Sequence, residues 1–156
     1  MMSKTYSMTG WRLGYLAAPK NLVSIIIRAH QNLVLSSTSF AQAGGILALS
    51  GPQDDLLRMV SEFDKRREFL YEGLKRLGIP CYKPQGAFYL FPNISEFGLS
   101  SWSFSELLLE KYNVATVPGI EFGKTGEGHI RISYATSYEN CIEGLERIEQ
   151  AVENLR

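Results

Sequence analysis

The sequence predicts an α+β fold in which helices cover a small sheet. In two segments apolar residues recur at steps of three and four, which is the period of an amphipathic helix. Between these segments, short runs rich in aromatic and β-branched residues are typical of strands. From residue 54 onward the predicted order is helix, strand, helix, strand, strand, helix, over 54–77, 81–94, 103–112, 114–117, 130–135 and 136–155.

The first 50 residues predict a strand, a helix and one ambiguous run. The apolar run 13–17 predicts a buried strand, and Pro19 then opens a helix that extends to residue 35. In the run 40–50, the adjacent Gly44 and Gly45 would cost about 2 kcal/mol in a helix interior. A helix there needs close approach to another element or chain, whereas a glycine-broken connector between helices fits the same residues.

The segment 54–77 predicts a long helix. Asp54 and Asp55 suit its first turn because negative charge is favourable at a helix amino terminus. Glu62 and Arg66 form one of its i,i+4 pairs. Gly78, followed by Pro80, ends the helix.

Turn and cap residues divide the remaining chain. Gly86 precedes an aromatic run within the strand 81–94, and Ser103 with Glu106 has the spacing of a capping box. The glycines of 123–128 mark a turn before the strand 130–135. Thr136 with Glu139 predicts the cap of the last helix.

Composition excludes several classes of protein. Hydrophobic residues are 45% of the 156 residues, which indicates a globular core and not a disordered chain. Sixteen basic and sixteen acidic residues cancel, so charge does not support a nucleic-acid or membrane partner. No apolar run approaches the roughly 18 residues of a spanning helix, and no signal-peptide core is visible, so we expect a cytoplasmic protein.

Cysteine and histidine are too sparse to predict a metal site. Cys81 and Cys141 are far apart and outside any CxxC pair, so we expect reduced thiols. His30 and His129 are likewise isolated, which argues against a zinc site or a catalytic triad.

The stretch 3–14 places a lysine and an arginine eight positions apart among small, hydroxyl-bearing and apolar residues. A lysine amine attacks carbonyls well when burial or a nearby cation lowers its pKa toward roughly 7 or 8. An arginine with glycine and hydroxyl groups around it suits bidentate binding of a phosphate. Lys4 for a carbonyl and Arg12 for a phosphate therefore describe a pyridoxal phosphate site. The structural alternative is a solvated lysine in a turn and an arginine at a strand edge.

The same stretch resembles the lysine signature of class I and II aminotransferases. The matching positions are Ser3, Lys4, Ser7, Met8, Gly10, Arg12, Leu13 and Gly14. The resemblance implies that Lys4 carries the Schiff base to pyridoxal phosphate and that Arg12 binds the cofactor phosphate. The family usually has Ser or Gly three residues before the lysine, where this chain has Met1, so one phosphate contact would be missing.

Three later segments, GAFYLFPNI, ATVPGIEFG and GEGHIRISYATS, resemble successive landmarks of the aspartate aminotransferase-like members. In that family the arginine of the last landmark binds the substrate α-carboxylate, which carries over to Arg131. A guanidinium on a strand offers a rigid fork for a carboxylate. Without the landmarks, an arginine between Ile130 and Ile132 would be better explained as a charge on an edge strand.

The resemblance covers the whole chain but only part of the family's fold. It implies that residues 1–50 are the carboxy-terminal end of a large cofactor-binding domain of α/β type and that 51–156 are the small domain. The family's phosphate loop, the aromatic residue on the cofactor ring and the ring-nitrogen aspartate all precede the lysine. We therefore expect a carboxy-terminal portion of an aminotransferase, inactive alone, whose parent acts on an amino acid and a 2-oxo acid and forms a homodimer. A noncatalytic α+β interaction module is the alternative.

Overall fold

The computed structural model describes residues 2–156. They form two compact units, one ending at Met59 and the other Val60–Arg156. The regular elements described in the first unit are helices: α1 (Met2–Thr5), α2 (Lys20–Leu33), α3 (Ser39–Ser50) and the start of α4 (Asp54–Arg76). The boundary between the units lies within α4. No helix in the described part of the chain is both long and apolar enough to cross a membrane.

The helices predicted in the first unit are confirmed. Pro19 is the N-cap of α2, and α3 runs through both glycines without a break, so the connector alternative is excluded. No residue of α2 is buried, and Ile25 is 66% exposed.

The strand predicted over 13–17 is wrong. Residues 13–19 have no regular structure, and Tyr15 and Leu16 are exposed. A strand needs a neighbour to satisfy its backbone N–H and C=O groups, and the described residues of this unit include no other strand. The apolar run therefore forms no strand.

The long helix α4 begins at Asp54, as predicted, and ends two residues before Gly78. Gly78 adopts a positive φ of 76°, and the Ile79 N–H donates to the Leu74 carbonyl at 3.0 Å. This left-handed glycine cap is a common way to end a helix. Within the second unit, α4 approaches the last helix closely, because a Cβ on Gly73 would overlap the Leu145 side chain.

The second unit contains a three-stranded antiparallel sheet in the order β1 (Tyr89–Leu90), β3 (Ile130–Ser133), β2 (Val117–Pro118). Leu90 pairs with Ile132, and Pro118 pairs with Ile130. Leu90, Ile130 and Ile132 are buried, and Pro118 is half-buried on the same face, so β3 alternates between the core and the opposite face.

The strands are shorter than predicted because turn residues interrupt them. Pro84 and Pro92 lack the N–H that a ladder needs, and Ala87 has a positive φ of 61°. Only Tyr89–Leu90 and an isolated bridge from Asn93 to His129 remain of the strand predicted over 81–94.

Two helices, α5 (Ser101–Tyr112) and α6 (Tyr138–Glu153), complete the second unit. The predicted caps are displaced. The Ser100 hydroxyl, not Ser103, accepts from the first turn of α5, and the Ser137 hydroxyl, not Thr136, accepts from the Asn140 N–H. With α4 and the sheet, these helices enclose a core that includes Leu74, Leu90, Phe104, Leu108, Ile130, Tyr134, Leu145 and Val152. The predicted α+β arrangement of helices on a small sheet is therefore confirmed.

Candidate functional site

The Lys4–Arg12 stretch folds as a short helix followed by two tight turns. Lys4 lies in α1, and a 3-10 turn, Thr9–Trp11, comes directly before Arg12. Ser7 and Arg12 both adopt a positive φ of 53°. This backbone conformation is uncommon for residues with a side chain and needs surrounding contacts to hold it.

Thr9 connects the two ends of this stretch. Its hydroxyl donates to the Ser3 carbonyl at 3.0 Å, next to Lys4. Its own carbonyl accepts from Nη1 of Arg12 at 3.2 Å. The backbone position of Lys4 and the guanidinium of Arg12 are thus linked through one threonine.

The glycine pair of α3 supports the segment on both sides of Arg12. A Cβ on Gly44 would lie 2.6 Å from the Trp11 ring, and a Cβ on Gly45 would overlap Leu13 Cδ2. Trp11 and Leu13 are the neighbours of Arg12 in the chain. The two glycines therefore allow Trp11 and Leu13 to pack closely against α3. A helix with two adjacent glycines was expected to need such a close approach, and here residues of the same chain make it.

The two cations of this stretch are exposed to solvent. Among the described residues no carboxylate forms an ion pair with Arg12, so its charge is available to an anion. A phosphate fits this donor, because a guanidinium held at one nitrogen still offers further N–H groups. Met1, where we expect a missing phosphate contact, lies outside the residues that the structure describes.

Arg131 lies on the central strand of the sheet in the second unit. Its backbone pairs with Val117 of β2, and β1 lies on the other side of β3. The alternative of a charge on an edge strand is therefore wrong.

Two aromatic rings contact the Arg131 guanidinium. Its Cζ lies 4.5 Å from the ring centre of Tyr89 and 4.9 Å from that of Phe122. Its Nε is buried and has no hydrogen-bond acceptor among the described residues, and none of their carboxylates pairs with the charge. An unpaired buried N–H costs about 1–3 kcal/mol, which cation–π contacts of about 0.5–2 kcal/mol partly offset.

A hydrogen-bond network fixes the turn that carries Phe122. The Glu127 carboxylate accepts from the Ser101 backbone N–H at 2.7 Å and from the Ser101 hydroxyl at 2.8 Å. The same hydroxyl accepts from the Ile120 N–H at 3.3 Å. The hydrogen bonds from the N–H and hydroxyl of Ser101 hold the pKa of Glu127 below its usual value. Glu127 thus ties the turn Gly119–Phe122 to the amino terminus of α5.

The sequence predicts roles for Lys4, Arg12 and Arg131, and these roles stay predictions; it gave no indication of the residues that contact or support Arg131. Tyr89 and Phe122 lie in two of the landmark segments, where they resembled ordinary strand and turn aromatics. The signal that could have found Tyr89 is strand register. Tyr89 pairs with Ser133, which places it on the same sheet face as Arg131.

Neither thiol forms a disulfide, as predicted. Cys81 is half-buried and Cys141 is buried, and burial raises the pKa of each thiol. In residues 2–156, no three His, Cys, Asp or Glu side chains are placed to hold a metal ion.

Comparison with known proteins gives the family. The family model described as aminotransferase class I and II matches residues 2–148. The aspartate aminotransferase of Pyrococcus horikoshii is 46% identical over 154 residues, which are 97% of this chain and 39% of that protein. The aromatic-amino-acid aminotransferase 2 of Thermococcus litoralis is 42% identical, over 96% of this chain and 39% of that protein.

Solved structures agree with the sequence relatives. The crystal structure of the aromatic aminotransferase from Pyrococcus horikoshii superimposes with a TM-score of 0.91 at 42% identity, over 98% of this chain and 41% of that one. The chain spans about two fifths of the length of these relatives. Because the family match extends over nearly all of its residues, the chain belongs to the class I and II aminotransferases.

Proposed function

We propose that this chain is the carboxy-terminal portion of a pyridoxal-phosphate-dependent aminotransferase that moves an amino group between an amino acid and a 2-oxo acid. The observation that carries the proposal is the state of Arg131. It is a cation on a central strand, in contact with two rings, and no described carboxylate neutralises it. Such a group is suited to bind the carboxylate that every amino acid and 2-oxo acid has in common.

The cofactor would be held by Arg12 and Lys4. The Arg12 guanidinium is open to a phosphate, and Thr9 holds its Nη1 in place. When bound, pyridoxal phosphate supplies a carbonyl carbon for the amino group and a ring that accepts the electron pair released at the substrate Cα.

Lys4 would be the catalytic residue. Its amine would bind the cofactor at its carbonyl carbon, and Nζ would hold and move the proton at the substrate Cα. Lys4 lies in α1 and is exposed to solvent. Arg131 would bind the substrate carboxylate through its guanidinium.

The remaining partners would come from the rest of the parent enzyme. We assign residues 1–50 to the end of the large cofactor-binding domain and 51–156 to the small domain, and we place the parent in the cytoplasm as a homodimer. The first unit has many exposed apolar side chains, which supports the proposal that another part of the parent enzyme covers it. They include Ile25, Leu33, Leu35, Phe40, Ile46 and Leu47.

The test compares Arg131→Ala and Arg131→Lys with the unaltered complete enzyme that contains this chain. Amino acid is titrated while the absorbance of the bound cofactor is followed. Arg131→Ala should weaken amino-acid binding and lower kcat/KM about 30-fold to several thousand-fold, the equivalent of about 2–5 kcal/mol for a lost charge pair. Arg131→Lys should restore only part of the lost amino-acid binding and kcat/KM, because lysine has the charge but no planar fork.

Arg12→Ala is the matched control, because it should weaken cofactor binding and leave the amino-acid affinity of the loaded enzyme largely unchanged. If all three forms at position 131 bind amino acid alike, Arg131 is a structural charge and the substrate role is wrong. If Lys4→Ala retains full transamination, Lys4 is not the catalytic lysine.

A further inference from the structure

We propose that Tyr89 and Phe122 are positioning residues, which fix the plane of the Arg131 guanidinium and leave its Nη1 and Nη2 as the pair that binds the substrate carboxylate. This inference rests on the proposed function. It gives a role to Tyr89 and Phe122, two residues that the proposed function does not use.

The geometry starts from the sheet. Tyr89 pairs with Ser133, and Arg131 lies two residues before Ser133 on β3. The Tyr89 and Arg131 side chains are therefore on the same face of the sheet. Side chains diagonal to each other across an antiparallel pair are within reach when one of them is aromatic and the other is long. The distance of 4.5 Å from the guanidinium carbon to the Tyr89 ring centre agrees with this placement.

The second ring comes from the turn Gly119–Phe122, which follows β2. This turn cannot move freely. A Cβ on Gly119 would overlap the Gly126 carbonyl, and a Cβ on Gly126 would overlap the Gly119 carbonyl, so the two backbones are in direct contact. Phe91 also packs edge-on against Phe122, at 5.9 Å between ring centres. The Phe122 ring is therefore held in place although about half of it is exposed.

The two rings leave only part of the guanidinium open. Of its three nitrogens, only Nε is both buried and without a partner. A carboxylate therefore reaches Arg131 through the two terminal nitrogens, in a two-pronged, end-on approach. The direction of that approach is set by the plane in which the rings hold the group.

Aromatic residues suit this task better than acidic ones. A carboxylate beside Arg131 would fix the guanidinium but would also occupy its N–H groups and compete with the substrate. An aromatic face attracts the cation and accepts none of those hydrogen bonds in the plane of the group. The arginine is thus oriented while its hydrogen-bonding capacity stays available.

The experiment measures KM and kcat of the complete enzyme for its amino acid, with Tyr89→Leu, Phe122→Leu and Tyr89→Phe. Each leucine variant should raise KM about 5- to 30-fold, and kcat should change less than about threefold, because orientation of the carboxylate governs binding. Tyr89→Phe keeps the ring and should stay within about twofold of the unaltered enzyme. Cofactor affinity should not change in any of them.

A double-mutant cycle separates positioning from general damage. In the Arg131→Lys background, Tyr89→Leu should raise KM by less than about twofold, because lysine has no plane to hold. An equal effect of Tyr89→Leu in both backgrounds would overturn the proposal. If Arg131→Ala leaves KM unchanged, the proposed function fails; if Arg131→Ala raises KM and both leucine variants do not, only the positioning role fails.

A spectroscopic measurement on the 156-residue chain does not depend on activity. The side-chain protons of Arg131 should resonate upfield of ordinary arginine values, because they lie over two rings. This shift should diminish in Phe122→Leu and persist in Tyr89→Phe. Ordinary arginine shifts in the unaltered, folded chain would overturn the proposal.

Discussion

At the scale of single residues, Arg12 and Arg131 show two ways to keep a guanidinium available for an anion. Arg12 is exposed, and a backbone carbonyl holds it at one nitrogen. Arg131 is half-buried, and aromatic faces hold it. In both cases the contacts avoid a carboxylate, which would neutralise the charge before a ligand arrives. In the proposed site, exposure of Arg12 would suit binding of the cofactor phosphate, and partial burial of Arg131 would strengthen its attraction for a substrate carboxylate.

Glu127 gives a pH-dependent prediction at the same scale. Its pKa is lowered in the folded chain by the hydrogen bonds from Ser101. A group of this kind stabilises the fold fully above its unfolded pKa, about 4.3 for glutamate, and the stabilisation is lost as the pH falls through the lowered folded value. The difference in Tm between the unaltered chain and Glu127→Gln should therefore be largest near neutral pH and shrink below about pH 4.

The matched control is Glu121→Gln, an exposed glutamate in the turn that Glu127 secures. Thermal unfolding is followed from pH 7 to pH 3 for all three proteins. Glu121→Gln should track the unaltered chain at every pH. A Glu127→Gln difference that stays constant over the whole range would contradict the role of the ionised carboxylate.

The sequence predicts the residues with proposed chemical roles better than it predicts the residues that support them. Lys4, Arg12 and Arg131 can be proposed as site residues from the sequence because their motifs are local, with defined neighbours at defined spacings. Glu127 and Ser101 are 26 positions apart, and nothing in either segment indicates that they meet. Contacts of this kind depend on how the sheet and helices pack, which no local pattern contains.

At the scale of elements, α3 shows how a helix carries an unfavourable residue pair for a structural reason. Gly45 is buried, and Leu13 occupies the space that a side chain would need. Gly45→Ala gains about 1 kcal/mol of helix propensity but overpacks the contact, which typically costs about 1–3 kcal/mol. We therefore expect a lower Tm and weaker cofactor binding, because the displaced segment carries Arg12.

Gly144→Ala in α6 is the control for this substitution, because nothing lies within 4 Å of the Cβ it would add. It should raise the Tm slightly through helix propensity alone. Thermal unfolding and cofactor titration of the complete enzyme compare the two variants. Equal effects of Gly45→Ala and Gly144→Ala on Tm and on cofactor affinity would show that the Leu13 side chain moves aside at no cost. Gly45 would then not position the segment that carries Arg12.

Helices could be predicted more closely than strands for a physical reason. The start of α4 and the extent of α2 follow from periodicity and cap residues close in sequence. Strand length depends instead on a partner, and β1 retains only two paired residues between its prolines and turns. The run 13–17 has the composition of a buried strand but no strand beside it, so composition alone misled the prediction.

At the scale of the whole molecule, the two units differ in how much of their apolar surface they bury. The second unit has a continuous core, whose members include Leu90, Phe104 and Leu108 at 0% exposed. The buried apolar side chains described in the first unit are few: Met2, Met8 and Ala41. Local stability follows buried apolar contact, so the first unit should open at a lower free energy than the second.

Hydrogen exchange of the isolated chain tests this difference. Backbone amides of α2 should exchange with solvent much faster than those of α6, because no residue of α2 is buried. Amides of α6, which buries Leu145, Ile148 and Val152, should approach the protection set by global unfolding. Addition of the remaining portion of the parent enzyme should slow α2 selectively, since that portion would cover its exposed Ile25 and Ile27. Equal, slow exchange of α2 and α6 in a monomeric chain would show that the first unit is stable without a partner, and it would remove the support that exposed apolar surface gives to a missing large domain.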